Sequence, residues 1–100
     1  MFFSHSVFSV PRLVNLRTTK AHKEAVYIGR PSRWGNPYRL SSHSRQEAII
    51  LYEAYLLESG LIQHIHVLKF KQLACFCYPE ACHGDVLLKH LAPLESVKTL

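Results

Sequence analysis

The stretch that decides the fold is residues 44–60, which read S-R-Q-E-A-I-I-L-Y-E-A-Y-L-L-E-S-G. Ser44 and Glu47 have the spacing of a capping box, in which the serine hydroxyl accepts an early backbone N–H and the glutamate reaches back to the cap. Strong helix formers follow, and Gly60 stands where helices commonly end in a left-handed residue. The stretch predicts a substantially buried helix over residues 45–58. Its apolar face is made of Ala48, Leu51, Tyr52, Tyr55 and Leu56.

Short apolar runs on either side of this helix predict strands. Residues 12–17 alternate around apolar positions, residues 25–28 form a continuous apolar run, and residues 71–77 have strand character. Residues 61–68 predict a further helical turn or two, and residues 84–91 predict a closing helix. Strands separated by helical segments pair in parallel through right-handed crossovers. We therefore predict an α/β fold with a short, mostly parallel sheet flanked by helices.

Length and composition limit the class of protein. The 100 residues suit one domain, which we assign to residues 11–92, with an N-terminal extension (1–10) and a C-terminal tail (93–100). Hydrophobic residues make up 48% and charged residues 19%, which excludes disordered and collagen-like classes. No apolar run approaches the length of a bilayer span, so we expect no membrane association. The 3 cysteines are an odd number and lie close together, which favours a reducing, cytoplasmic setting over a disulfide framework.

Charge is unevenly distributed along the chain. Residues 1–45 carry a net charge of +7, and residues 46–100 carry −2. This asymmetry indicates a surface that faces an anion, either a small ligand or a nucleic acid. Solvated arginines on loops would explain the same pattern.

The first segment that carries chemistry is residues 28–37, I-G-R-P-S-R-W-G-N-P. Arg30 and Arg33 offer planar guanidinium groups that suit phosphate or carboxylate. Trp34 offers a face on which a base or another ring can stack. The structural alternative is a rigid loop in which Trp34 fills the core.

The second segment is residues 75–85, C-F-C-Y-P-E-A-C-H-G-D. By ligand type, Cys75, Cys77, Cys82 and His83 would complete a tetrahedral zinc site. Their spacing matches no common zinc motif, so zinc is an alternative and we favour no cofactor.

The start of the closing helix allows several roles. A helix N-terminus lowers the pKa of a thiol, which makes Cys82 a candidate nucleophile, although a buried structural cysteine is the simpler interpretation. The backbone N–H groups of His83 and Gly84 would alternatively hold a phosphate. Asp85 either caps the helix or binds a ribose hydroxyl or acts as an acid. Cys82, His83 and Asp85 are thus the candidate catalytic residues. Both segments follow strands, and ligands of parallel sheets gather beyond the carboxyl ends of strands, so we expect the two segments to face each other.

The two segments together resemble the domain of unknown function 4326 family, found in phages and bacteria. The resemblance rests on V-N-L-R (14–17), Y-I-G-R-P-S-R-W-G-N-P (27–37) and L-A-C-F-C-Y-P-E-A-C-H-G-D-V-L (73–87), with Phe76 where the family is expected to carry Trp. The last stretch is also similar to the C-x-E…C-H-R ending of the domain of unknown function 488 family, with Gly84 in place of the Arg. The resemblance implies an intracellular α/β domain with a shared pocket but implies no particular reaction. The positions that match the motifs are Asn15, Arg17, Arg30, Ser32, Trp34, Asn36, Cys82, His83 and Asp85.

These observations predict a pocket that binds a nucleotide or a nucleotide-derived anion. Arg30 and the helix start at His83 and Gly84 would hold phosphate, Trp34 would stack a ring, and Asn36 or Asp85 would contact polar edges. Two alternatives remain open: a hydrolase that acts on a nucleotide or glycosidic bond, and a module that binds nucleic acid through the basic half. The apolar helix 45–58 would also suit the interface of a homo-oligomer.

Overall fold

The computed structural model describes residues 12–77 and 80–96, so the predicted N-terminal extension, residues 1–10, lies outside the described residues. The elements in chain order are β1 (Leu13–Asn15), β2 (Val26–Tyr27), α1 (Arg45–Glu58), a 3₁₀ helix (Leu61–Leu68), β3 (Leu73–Cys75) and α2 (His83–Ser96). Every predicted strand and helix is present, and the strands are shorter than the apolar runs that predicted them.

The three strands form a single parallel sheet in the order β1-β3-β2, which confirms the predicted fold class. Leu73 lies opposite both Leu13 and Val26, and Ala74 lies opposite both Val14 and Tyr27. The central strand β3 is buried at all of its positions. Because all strands run in the same direction, their carboxyl ends meet at one edge of the sheet.

Helix α1 begins with the predicted capping box. The Glu47 backbone N–H donates to Ser44 Oγ at 3.1 Å, and the Ser44 backbone N–H donates to Glu47 Oε1 at 3.0 Å. Ala48, Tyr52 and Leu56 are buried at successive turns, and the flanking members of the predicted face are half-buried. The apolar face of α1 therefore packs into the core of its own chain.

Helix α2 continues beyond its predicted end. The sequence assigns residues 93–100 to a tail, but the helix passes through Pro93 and ends at Ser96. Glu95, in the last turn, accepts two hydrogen bonds from the Arg12 guanidinium at 3.0 and 2.8 Å and one from the Phe70 backbone N–H at 2.8 Å. These long-range bonds hold the last turn of α2 against the start of β1.

Side chains from the strands, both α-helices, the 3₁₀ helix and the loop before α1 share one core. Its buried members are Leu13, Ile28, Trp34, Tyr52, Leu56, Ile65, Leu68, Leu73, Cys75, Cys82, Val86, Leu87 and Leu91. Among the described residues, no helix is long and apolar enough to cross a membrane.

Candidate functional site

A pocket of about 220 Å³ lies beyond the carboxyl ends of β2 and β3. Its wall includes Tyr27 and Cys75 from the strand ends, Arg30 from the loop before α1, Ile49 from α1 and His83 from α2. Both segments that the sequence singled out for their chemistry therefore line one cavity. This is the edge of a parallel sheet at which ligands are generally bound.

A histidine joins the two segments directly. His83 Nε2 lies 2.7 Å from the carbonyl oxygen of Ile28. Because a carbonyl can only accept, this bond requires the imidazole proton to be on Nε2. Burial lowers the pKa of His83 below its ordinary value, which keeps the ring neutral at pH 7. The ring also packs edge-on against Tyr52, with centroids 5.0 Å apart. His83 thus positions the start of α2 against the end of β2.

The three cysteines converge at the floor of the pocket. The sulfur atoms of Cys75, Cys77 and Cys82 all lie within 4.8 Å of one another, and those of Cys75 and Cys82 are 3.9 Å apart. No disulfide joins them. His83 is not part of this cluster, so the four-ligand zinc site considered from the sequence is not assembled as such.

The environment of Cys82 does not favour the predicted nucleophile. The hydrogen bond with Cys75, a second one with Cys77 and burial all raise the pKa of the Cys82 thiol. These effects outweigh the hydrogen bond from the Gly84 backbone N–H at the helix start, which lowers the pKa of Cys82. The metal-free thiol is therefore protonated at neutral pH and is a weak nucleophile.

Asp85 caps α2, as the structural alternative for this residue predicted. Its Oδ2 accepts the Cys82 backbone N–H at 3.0 Å, while Cys82 Sγ accepts the Gly84 backbone N–H at 3.3 Å and the Cys82 carbonyl accepts the Asp85 N–H at 2.9 Å. The N–H groups of Gly84 and Asp85 are thus already bonded within the helix start. A phosphate held at this point, as the sequence predicts, would have to displace these bonds.

Gly84 has a packing role that explains why it carries no side chain. A Cβ at this position would lie 2.8 Å from Leu13 Cδ1 and 3.1 Å from Ile28 Cδ1. The absence of a side chain lets α2 approach β1 and the end of β2 closely.

In the loop, Arg30 and Asn36 line the pocket, but Asn36 is mainly structural. The Asn36 amide donates to the Ala48 carbonyl at 3.1 Å and its side-chain oxygen accepts the Tyr38 backbone N–H at 2.9 Å. The Arg30 guanidinium donates to the Asn36 carbonyl. Asn36 thus fixes the loop to α1 and helps to orient Arg30 at the cavity.

Trp34 is 3% exposed and belongs to the core, so its face is not presented to a ligand. Its carbonyl accepts a hydrogen bond from the Tyr52 hydroxyl at 2.8 Å, and the Arg33 guanidinium lies 5.1 Å from the centre of its ring. Ser32 Oγ accepts the Trp34 backbone N–H at 3.3 Å. The loop is therefore the rigid, core-filling type that the sequence analysis weighed as an alternative.

Asn15 and Arg17 brace the sheet beside the pocket rather than line it. Asn15 Oδ1 accepts the Arg17 backbone N–H at 2.8 Å, and its amide donates to the Phe76 carbonyl at 3.3 Å. The Arg17 guanidinium lies 5.1 Å from the centre of the Phe76 ring. These contacts hold the residue after β3 in place.

Sequence reasoning missed several residues of the pocket wall, including Tyr27, Tyr38, Arg45 and Phe76. The rings of Tyr27 and Phe76 meet edge-to-face with centroids 6.0 Å apart. Arg45 Nη1 donates to the Ala81 carbonyl at 3.0 Å, which holds its guanidinium beside the segment that precedes α2. The motif comparison did point to Phe76 as the position where the family is expected to carry Trp, and that position is an exposed ring on the cavity.

Fold and site together define a small α/β domain with a cavity of cysteines, arginines and aromatic rings at the carboxyl edge of a parallel sheet. The family described as "Domain of unknown function (DUF4326)" matches residues 14–93, and the chain belongs to this family. The chain is also similar to the "Uncharacterized 12.4 kDa protein in nrdA-td intergenic region" of Enterobacteria phage T4. The two are 33% identical over 84 residues, which cover 79% of this chain and 78% of the phage protein. No solved structure matches the chain significantly.

Proposed function

We propose that the pocket at the carboxyl edge of the sheet binds a small phosphorylated ligand of the nucleotide class. The observation that carries this proposal is that two arginines and three aromatic rings line the same cavity: Arg30, Arg45, Tyr27, Tyr38 and Phe76. Guanidinium groups pair with phosphate oxygens in a fixed fork geometry, and aromatic rings stack on a base.

The roles differ from those that the sequence alone suggested. Arg45 joins Arg30 in supplying positive charge, in place of the start of α2, whose Gly84 and Asp85 N–H groups are already bonded within the helix start. Phe76, which is 44% exposed, supplies a stacking face in place of the buried Trp34. Arg45 and Phe76 thus take the roles that the sequence analysis assigned to the start of α2 and to Trp34.

The size of the cavity limits the ligand. Sites that enclose drug-sized ligands hold roughly 300–1,000 Å³. At about 220 Å³, this pocket suits a mononucleotide or a sugar phosphate better than a dinucleotide. The three closely spaced thiols would oxidise in an oxidising compartment, so we place this binding activity in the cytoplasm.

Calorimetric titration of the reduced protein with AMP, ribose 5-phosphate and inorganic phosphate tests the proposal. We expect AMP to bind, and Arg30→Ala to weaken it about 10- to 100-fold, as for loss of a hydrogen bond to a charged group. Arg33→Ala is the matched control, because it removes the same charge from the same loop outside the pocket lining. Phe76→Ala should weaken AMP and leave ribose 5-phosphate unchanged.

Three results would contradict the proposal. One is that none of the probes binds. Another is that Arg30→Ala and Arg33→Ala lower the affinity for AMP equally, which would show that the affinity depends on net charge and not on the position of Arg30. The third is that a single-stranded oligonucleotide binds better than AMP with a steep salt dependence, which would favour the nucleic-acid module instead.

A further inference from the structure

The sulfur atoms at the floor of the pocket have the spacing of metal ligands. Tetrahedral zinc holds thiolates at 2.3 Å, which places any two of its sulfur ligands about 3.8 Å apart. The Sγ atoms of Cys75 and Cys82 are 3.9 Å apart, and the three sulfurs all lie within 4.8 Å of one another. Small side-chain rotations would therefore bring all three to one cation.

Separate elements of the fold bring these sulfurs together. Cys75 is the last residue of β3, Cys77 lies two residues further, and Cys82 precedes the first residue of α2. Strand and helix are held in place by the core, so the sulfurs of Cys75 and Cys82 are positioned by rigid elements, and Cys77 completes the cluster from the loop after β3.

Backbone donors already point at two of the sulfurs. The Cys77 backbone N–H donates to Cys75 Sγ at 3.4 Å, and the Gly84 backbone N–H donates to Cys82 Sγ at 3.3 Å. Outer hydrogen bonds of this kind orient metal ligands and stabilise thiolate charge. Arg45 also lies beside the Cys77 thiol, where it would offset the negative charge that three thiolates leave on a divalent cation.

We propose that Cys75, Cys77 and Cys82 bind a thiophilic divalent cation, with Zn²⁺ as the natural occupant and a fourth coordination position open to the pocket. Soft thiolate ligands select zinc over magnesium or calcium. Binding replaces the three thiol protons, which pass to solvent, so the affinity falls as the pH is lowered.

The neighbouring polar side chains leave the fourth position to a small molecule. His83 contributes no ring nitrogen to the sulfur cluster, and its Nε2 is bonded to the Ile28 carbonyl. Asp85 accepts the Cys82 backbone N–H. Because all three cysteines line the cavity, water or an oxygen of a pocket ligand would complete the tetrahedron. A zinc site with an open position differs from the closed, four-ligand sites of structural zinc fingers. This inference does not depend on the proposed nucleotide ligand.

The test is titration of the reduced, metal-free full chain with Co²⁺ and then with Zn²⁺. We expect one metal ion per chain, a thiolate-to-cobalt charge-transfer band in the near ultraviolet and the intense visible bands of a tetrahedral site, followed by displacement by Zn²⁺. Cys82→Ser should weaken binding by more than about 100-fold, since even outer-shell partners are worth 10- to 100-fold. Serine still offers an oxygen to the Gly84 N–H, so the start of α2 keeps its cap.

Two further variants make the result decisive. Lys89→Gln is the control, because it alters an exposed side chain of the same helix without removing a thiol or a contact of the helix start, and its cobalt spectrum should equal that of the wild type. Cys77→Ser removes a thiol that lies outside the helix cap, and it replaces Cys82→Ser as the test of metal binding if Cys82→Ser does not fold. The inference is overturned if the reduced wild type gives no tetrahedral cobalt spectrum, if the serine variants bind as tightly as the wild type, or if thiol counting finds a Cys75–Cys82 disulfide under mild reduction. Metal alone is the probe, so failure of AMP binding leaves this inference standing, and failure of metal binding leaves the AMP test intact.

Discussion

The two ends of the three-stranded sheet use polar residues in opposite ways. At the amino end, Arg12 donates to the Lys71 carbonyl at 3.1 Å and to the Glu95 carboxylate, and Gln72 accepts the His22 backbone N–H at 2.7 Å. At the carboxyl end, Arg30 and the three thiols surround a cavity. The amino end is closed by its own hydrogen bonds, whereas the carboxyl end keeps an arginine and three thiols around a cavity.

This difference separates stability from binding. A parallel sheet directs its strand ends, and the loops that follow them, to one edge, where side chains from distant segments meet. Side chains at the opposite edge can therefore contribute to stability without lining a binding site. Helix α2 links the two edges, since it begins at the pocket with His83 and ends with Glu95 beside Arg12.

The largest expected effect comes from truncating a buried side chain of α2. Leu87 is fully buried in α2, and Leu87→Ala leaves a cavity that costs about 3 kcal/mol of unfolding free energy. Both ends of the sheet should lose protection together in hydrogen exchange, because one core supports them. Denaturant unfolding measures the loss. Independent melting of the two ends would show that they are separate cooperative units and would contradict the single core.

A smaller effect should follow from opening the amino end. Arg12→Ala breaks two hydrogen bonds to a partly buried carboxylate and should lower the unfolding free energy by about 2 kcal/mol. Ligand and metal affinity should not change, because the pocket lies at the other edge. Arg30→Ala provides the reciprocal case, with weaker binding and a loss of stability smaller than that of Arg12→Ala, because it breaks the hydrogen bond to the Asn36 carbonyl. If Arg12→Ala weakened binding more than threefold, the two ends would be coupled.

The gentlest change at the amino end is protonation of Glu95. Although burial alone raises its pKa, the hydrogen bonds from Arg12 and the Phe70 N–H lower the pKa of Glu95 below the ordinary value of 4.5. The stabilisation is thus present above the unfolded-state pKa and is lost as the pH falls through the lower folded-state value. In thermal melts from pH 7 to pH 2, the melting temperature should fall at acid pH, and this fall should be smaller in Glu95→Gln than in the wild type.

Glu53 is a second carboxylate whose effect on stability at acid pH can be compared with that of Glu95. Its hydrogen bonds with Lys89 and His90 lower its pKa too, and they join α1 to α2 away from the amino edge. Glu53→Gln should therefore also reduce the loss of stability at acid pH. If the melting temperature of both variants fell at acid pH as steeply as that of the wild type, these carboxylates would not be the source of acid sensitivity.

Local patterns predicted the elements well and the roles of single side chains poorly. The capping box at Ser44 and the apolar spacing of α1 and α2 depend on neighbours within a few residues, and both were correct. Trp34 and Asn36 were assigned to a ligand, but the tertiary structure uses them to fill the core and to fix the loop to Ala48. Nothing in a sequence distinguishes a tryptophan that stacks on a base from one that packs against Tyr52.

The sequence by itself determined the α/β class and the two segments that line the pocket, because these depend on periodicity, turn residues and the common direction of parallel strands. Only the tertiary structure decided that Arg45 and Phe76 reach the cavity and that the three sulfurs meet within 4.8 Å. Those facts depend on how a strand end and a helix start from different parts of the chain approach each other across the core. That approach is set by packing and by the absence of a side chain at Gly84, where a Cβ would meet Leu13.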